Sequence, residues 1–232
     1  MATQIGLQLS LNNDSTFNNF LVVDETRREA RYLFENRAQT RLPLVFIWGG
    51  NGSGVSHFAQ AVCSEVITEG DSAQFLPLDE LVGFDAESLL EGLESMSLVC
   101  LEDIHSVASQ PQWERELFKL YNKILDQGQR LLVTADRPPQ QLPLQLPDLV
   151  SRLASGATFH FSPYSDEQKR DILQFRAIRL GIEMTDEVAN YLLNRCSRQL
   201  EDLMTILQQL DVASLEAKRR ITIPFIKDYF RW

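Results

Sequence analysis

The sequence predicts an α/β protein, a parallel sheet sandwiched between helices, followed by a small all-α domain. Three observations predict it. Short apolar runs alternate with helical periodicity up to about residue 164, which is the pattern of strand–helix–strand units with a parallel sheet. The first of these runs, Leu44 to Ile47, opens onto Gly49-Gly50-Asn51-Gly52-Ser53-Gly54 and then a helical pattern. From Ser165 onward only helical periodicity remains.

Composition bounds the rest. The chain has 232 residues, 44% hydrophobic and 23% charged, enough for one large domain or two small ones. Its net charge of -10 repels phosphate backbones and argues against a general DNA-coating role, though not against DNA reached through a partner. No apolar run approaches the ~20 residues of a membrane span, so no membrane association is expected. Met1-Ala2-Thr3-Gln4 lacks the features of a secretory signal, which predicts a cytoplasmic protein. Cys63, Cys100 and Cys196 are odd in number and widely spaced, and read as buried thiols.

In chain order, residues 1–16 are polar except for Ile5, Leu7, Leu9 and Leu11. Gln8-Leu9-Ser10-Leu11 reads either as an edge strand or frayed end, or as a linear peptide whose leucines enter a partner's apolar pockets. Phe17 and Phe20 follow, three apart. Asp24 then caps a helix expected to reach about Thr40, with Ala30, Leu33, Phe34 and Arg37 on one face. Leu42–Trp48 is the first core strand. Val55–Thr68 is a helix closed by Gly70, Gln74–Leu78 a second strand, and 86–95 a short helix. Ser97 to Asp103 is a buried strand ending in the carboxylates Glu102 and Asp103. Trp113 to Gln127 is amphipathic, with Leu117, Leu120, Tyr121 and Ile124 at i, i+3, i+4 and i+7. Arg130–Asp136 is a fourth strand, broken by Pro138-Pro139. Helical runs at 166–180, 185–196, 198–216 and 224–230 complete the chain. The expected parts are a peptide at 1–15, a sandwich at 16–164 and a helical domain at 165–232.

The glycine-rich turn carries chemistry. Its spacing fits the P-loop pattern G-x-x-x-x-G-K-[ST] except at one position. Gly49 and Gly54 are in place, Ser56 stands where a hydroxyl would ligate magnesium, and Val55 replaces the lysine. Successive glycines let backbone N–H groups from Gly49 through His57 converge on an anion, and the helix start adds its partial positive charge. The lysine's point charge is missing, and a hydrogen bond to a charged group is worth roughly 1.5–3 kcal/mol. Weak or absent ATP hydrolysis follows, as does weakened diphosphate binding. A turn that binds nothing is the alternative. Ligands sit at the carboxyl ends of strands in such sheets, and the Glu102-Asp103 pair there suits a magnesium ion. His57 and His105 read as packing or capping residues.

The order of these features resembles AAA+ ATPases: P-loop, acidic strand end, polar-tipped strand, arginine, helical lid. More narrowly, Thr16-Phe17-Asn18-Asn19-Phe20, Thr134-Ala135-Asp136-Arg137-Pro138 and Arg198-Gln199-Leu200-Glu201-Asp202-Leu203 resemble the adenine-side segment, sensor 1 strand and sensor 2 helix of the DnaA-related branch. Residues 113–127, 136–142, 146–153, 207–214 and 221–225 are similar to the Hda group of DnaA-homologous regulatory inactivators, which lack a basic helix-turn-helix after the lid; the end of the chain at Trp232 is expected to match that architecture. The resemblance implies that Gln8, Leu9, Ser10 and Leu11 dock on the β sliding clamp of DNA polymerase III, with DNA reached only through the clamp. It implies DnaA as the second partner, with Arg152 offered in trans as an arginine finger to ATP held by DnaA. It also implies ADP as a structural ligand, Asp136 and Arg198 at the nucleotide, and magnesium at Ser56, Glu102 and Asp103. Val55 and the glutamate at 102 depart from the pattern, and predict that nucleotide binding is weak or absent. A loop without lysine also suits symmetric pairing of two copies. The alternatives are a non-catalytic adaptor at the clamp and a DnaA-like ATPase in its own right.

Overall fold

Five strands build one sheet in the computed structural model, which describes residues 11–36, 39–40, 42–197 and 199–232. The strands β1 (Leu44–Trp48), β2 (Ala73–Pro77), β3 (Leu98–Glu102), β4 (Arg130–Ala135) and β5 (Ala157–His160) lie in the order β2-β3-β4-β1-β5, and every neighbouring pair is parallel. The helices α1 (Glu25–Glu35), α2 (Val55–Thr68), α3 (Leu78–Leu81), α4 (Ala86–Leu90), α5 (Pro111–Asp126) and α6 (Pro147–Ala154) accompany them. Strand side chains alternate in direction and so feed two cores. Leu44, Phe46, Val99, Leu101, Leu131 and Val133 join residues of α3 to α6. Val45, Ile47, Leu98, Cys100 and Leu132 join residues of α1 and α2. The second core centres on Phe58, whose ring meets those of Phe17, Phe20, Phe34 and Phe161 edge-on, with centroids 5.3–6.0 Å apart. Edge-to-face pairs of this kind add about 0.5–1.5 kcal/mol each beyond area burial.

The expected α/β class and parallel sheet are present, with local differences. The first helix ends at Glu35 rather than Thr40. Asn36 hydrogen-bonds the Tyr32 carbonyl, and the Thr40 hydroxyl donates to the carbonyls of Leu33 and Asn36, consuming the acceptors that a continuing helix would use. The 86–95 helix breaks after Leu90, and Gly92, at φ 82°, turns the chain into a single 3-10 turn. Three of these elements carry no expectation from the sequence. One is α3, which begins at Leu78, where the second strand is expected to continue; another is β5, a four-residue edge strand without an apolar run; the third is α6, eight residues started by Pro147.

The units Met1–Ser162 and Pro163–Trp232 divide the chain. In the second, α7 (Asp166–Arg179), α8 (Asp186–Arg195), α9 (Leu200–Ala217) and α10 (Ile223–Phe230) enclose their own core, including Leu173, Leu192, Leu203, Leu207, Leu210 and Ile226. Ser165 and Gln168 form a capping box on α7, and Thr185 and Thr222 cap α8 and α10. Among the described residues no helix is long and apolar enough to cross a membrane.

Truncating the hub ring should destabilise the first unit alone. Phe58→Ala is expected to cost about 3–5 kcal/mol in chemical denaturation; a change below about 1 kcal/mol would show that the aromatic cluster does not set that unit's stability.

Candidate functional site

The glycine-rich turn leaves β1 at the carboxyl end of the sheet and enters α2. Its path needs glycine at three places. A Cβ on Gly49 would lie 2.5 Å from the Phe161 carbonyl oxygen and 2.6 Å from the Ser53 hydroxyl, while Gly52 and Gly54 have φ of 72° and 83°. Gly49 N–H donates to the Ala135 carbonyl at 3.0 Å, which docks the start of the turn on β4. Gly50 and Asn51 are exposed, Ser53 is buried, and Ser56 is exposed at the first turn of α2. The N–H groups of that first turn have no partner within the helix and offer an anion-binding end. Val55 begins the buried stripe of α2 with Phe58, Ala59, Val62 and Val66, and packs into the aromatic core.

A buried arginine holds this turn. Arg27, 1% exposed, donates from Nη2 to the Ser53 carbonyl at 2.6 Å and to the Ser162 carbonyl at 2.8 Å, and its Nη1 pairs with Asp24. Its guanidinium lies 4.7 Å over the Phe161 ring. Asp24 accepts the Arg27 backbone N–H as the N-cap of α1, so one short segment fixes the helix start, the glycine turn and the chain just beyond β5.

Carboxylates crowd the opposite side. Glu102 ends β3 beside Pro77 of β2, after which α3 carries Asp79 and Glu80 in its first turn. Burial pushes the Glu102 carboxyl up to about 7; the Ser56 hydroxyl, hydrogen-bonding the ionised form, opposes this, and Asp103, Asp79 and Glu80 reinforce it by repulsion. Burial likewise raises Asp103, against the attraction of His105. Asp103 sits in the left-handed region at φ 54°, and its N–H donates to the buried Thr134 hydroxyl at 3.0 Å, joining the tips of β3 and β4. Asp136 forms a two-bond pair with Arg137 at 2.7 and 2.8 Å, which lowers its pKa, and the His105 ring nitrogen lies 3.7 Å away. His57 packs edge-on to Phe20 with Nε2 3.2 Å from the Thr16 carbonyl, a packing role as its sequence setting suggests.

The fold implies a magnesium-bound nucleotide, and the residues can be tested against it. Ser53 Oγ and Glu102 Oε1 are buried polar atoms without a hydrogen-bond partner among the described residues, one in the turn and one at the end of β3. No group of three or more His, Cys, Asp or Glu side chains among the described residues could hold a metal by itself. The donor set therefore fits a cation shared between Ser56, Glu102 and a phosphate, and does not fit a metal held by protein alone.

Arg152 lies apart from this site. It is exposed in the last turn of α6, its guanidinium 5.8 Å over the Tyr121 ring, and it forms no salt bridge among the described residues. A second buried charge positions α6. Glu114 of α5, 1% exposed, accepts the backbone N–H groups of Ser109, Gln145 and Leu146 at 2.7–3.1 Å, and Leu146 is the N-cap of α6. Arg27 and Glu114 carried no expectation from the sequence. Both lie on the apolar stripes of their helices, Arg27 with Ala30 and Phe34, Glu114 with Leu117 and Tyr121. Leu11 packs against the α1–α2 core, and Asn12 N–H bonds Gln60 of α2. Gln8, Leu9, Ser10, Arg37 and Arg198 lie outside the described residues.

Two outcomes follow. Arg27→Met should cost about 3 kcal/mol, since it strands a partly buried carboxylate and two carbonyls, and Arg27→Lys should recover only part; urea denaturation measures both. Glu102 holds its proton more tightly folded than unfolded, so its contribution to stability is present below about pH 4.5 and lost as the pH rises through about 7. With chelator and no nucleotide, Glu102→Gln should therefore raise stability at pH 8 by up to about 3 kcal/mol while changing it little at pH 4; equal effects at both pH values would contradict the burial of the charge.

Known proteins give the same frame. The family model "Bacterial DnaA ATPAse domain" matches residues 11–160, and the model "Hda, lid domain" matches residues 166–230. Domain III of the Thermotoga maritima replication initiation protein DnaA superposes with a TM-score of 0.77 at 22% identity, over 94% of this chain and 96% of that one. AMPPCP-bound DnaA from Aquifex aeolicus gives 0.72 at 23%, over 90% and 69%. A replication initiator DnaA bound to AMPPCP and single-stranded DNA gives 0.72 at 24%, over 90% and 69%. With an ATPase-domain match over most of its length and a lid match after it, the chain belongs to the bacterial DnaA ATPase-domain family, as a DnaA-related AAA+ replication protein that carries an Hda-type lid.

Proposed function

We propose that this protein is a negative regulator of replication initiation that acts on DnaA, its own nucleotide site serving as a structural or gating element. The observation that carries the reading is a contrast in the placement of positive charge. The phosphate turn has lost its lysine to an apolar residue that packs into the core, while Arg152 stands exposed and without a salt bridge among the described residues. An arginine donated to another protein's γ-phosphate stabilises the charge that develops in phosphoryl transfer and is worth orders of magnitude in rate. Glu114 supports that use by pinning the start of α6, which fixes the helix that carries the arginine.

In this reading the DNA-loaded sliding clamp captures the peptide Gln8-Leu9-Ser10-Leu11, and Arg152 completes the ATPase site of DnaA–ATP. Docking of the peptide draws Leu11 away from the α1–α2 core. ADP would be held at the protein's own turn by its N–H groups, with Ser56 and Glu102 serving a magnesium ion; Asp136 and Arg198 are the further residues that the family resemblance assigns to the nucleotide. Magnesium, when bound, would supply the positive charge that the missing lysine does not. Turnover at this site is slow or absent because no lysine meets the γ-phosphate.

The test is DnaA–ATP hydrolysis with clamp loaded on DNA. The unaltered protein should stimulate it, Arg152→Ala should reduce the stimulated rate roughly 1,000-fold or more toward the unstimulated level, and Gln8→Ala with Leu9→Ala should abolish the clamp-dependent stimulation. Full stimulation by Arg152→Ala would leave the protein a scaffold at the clamp.

A further inference from the structure

Charge is divided unevenly between the two units. All ten net negative charges belong to residues 1–162, where 21 acidic residues outnumber 11 basic ones; residues 163–232 hold 11 of each. Within the second unit five of the eleven basic residues fall in the last fifteen positions. Between Lys218 and Trp232 stand Lys218, Arg219, Arg220, Lys227 and Arg231 against the single acid Asp228. Lys218 ends α9 in the left-handed conformation, which turns the chain into the Arg219-Arg220 segment, and Arg219 reaches back over the Phe225 ring of α10 at 5.4 Å. Lys227 and Arg231 are one helical turn apart at the end of α10. All five are exposed, and Tyr229 between them is 48% exposed.

These cations are held loosely. Arg219 lies 3.7 Å from Asp228 and Arg220 3.6 Å from Glu183, beyond good hydrogen-bond distance, and all four side chains are more than half exposed. Surface pairs of this kind contribute at most about 1 kcal/mol and are readily exchanged for another anion. Three consecutive like charges stand out on a unit whose other residues are 8 basic against 11 acidic, and the spread of the five over two segments suits an extended polyanion rather than a single phosphate. Guanidinium forks, ammonium groups and a tyrosine hydroxyl are the groups that bond phosphate oxygens of a nucleic-acid backbone.

We propose that this end of the helical unit is a contact surface for the phosphate backbone of duplex DNA. The contact is short-ranged, because salt screens beyond about 10 Å at 0.1 M and the first unit repels DNA. It reads no sequence, and it acts when the protein is already held near DNA. The inference does not rest on the regulatory reading, since its test uses this protein and DNA alone.

The test is fluorescence anisotropy of a short labelled duplex titrated with the full chain at increasing salt. Neutralising about four phosphates predicts a log–log slope near -3.6, a loss of roughly 100-fold between 50 and 200 mM salt. The triple reversal Lys218→Glu, Arg219→Glu, Arg220→Glu should weaken binding at least tenfold. The pair Lys227→Ala, Arg231→Ala should make the slope shallower by about 2. Both sets are exposed, and thermal melting checks that the fold is intact; should the triple variant melt early, the slope of the unaltered protein and the second variant carry the test. Absence of binding at 50 mM salt would overturn the proposal. So would binding unaffected by either variant, or competition by polyglutamate as strong as by duplex at equal charge, which would mark the surface as one for acidic proteins.

Discussion

The buried guanidinium of Arg27 is the interaction on which the architecture of the site depends. A charge that is 1% exposed is costly unless it is paired and hydrogen-bonded. Here the partners are Asp24, the Ser53 carbonyl and the Ser162 carbonyl, with the Phe161 ring beneath. The Ser53 carbonyl is claimed by Arg27 and the N–H groups of Gly49 and Ser53 by the carbonyls of Ala135 and Gly50, so the turn is fixed from within the protein. The residue therefore does for the shape of the turn what no side chain within the turn can do.

The electrostatics of the two faces then differ in kind. At the strand ends Glu102 and Asp103 are raised by burial, Glu102 further by Asp103 and Asp103 further by Asp79 and Asp136, and Arg137 is already engaged by Asp136. A naked diphosphate would meet carboxylates there, whereas a magnesium-bound one would meet ligands. On the α5–α6 side the buried carboxylate Glu114 spends its acceptors on three backbone N–H groups, so it orders a loop and a helix start without facing solvent. Two buried charges of opposite sign thus perform the same task, each tying main-chain groups that no secondary structure satisfies.

Much of this was legible in the sequence. The strands β1, β3 and β4 appear as apolar runs because a parallel strand is buried on both faces, and α2 and α5 keep their amphipathic period from end to end. The turn was readable from its glycines, since Gly49, Gly52 and Gly54 answer geometric demands that other residues cannot meet. By contrast, β5 has only Ala157 and Phe159 turned partly inward and is too short to show a period. Arg27 and Glu114 were hidden by their own chemistry: a charged residue within an apolar stripe looks like an interruption of the pattern. The stripe itself held the signal, for a charge at i with Ala30 at i+3 and Phe34 at i+7 must be buried if the helix is. No local pattern announces which carbonyls such a residue will find, because Ser53 and Ser162 approach it only through the tertiary fold.

The place of β5 has a consequence for how the chain is built. It pairs with β1, so Val45 waits for Ala157, and the carbonyls of Phe161 and Ser162 that close over Gly49 and Arg27 come from the same late segment. A nascent chain emerging from the ribosome can assemble β1 to β4 with their helices, but the phosphate turn stays unlatched until nearly the whole first unit has been synthesised. The edge of β1 is exposed during that interval, with its backbone groups open to other strands. The helical unit, with a core of its own, imposes no such delay.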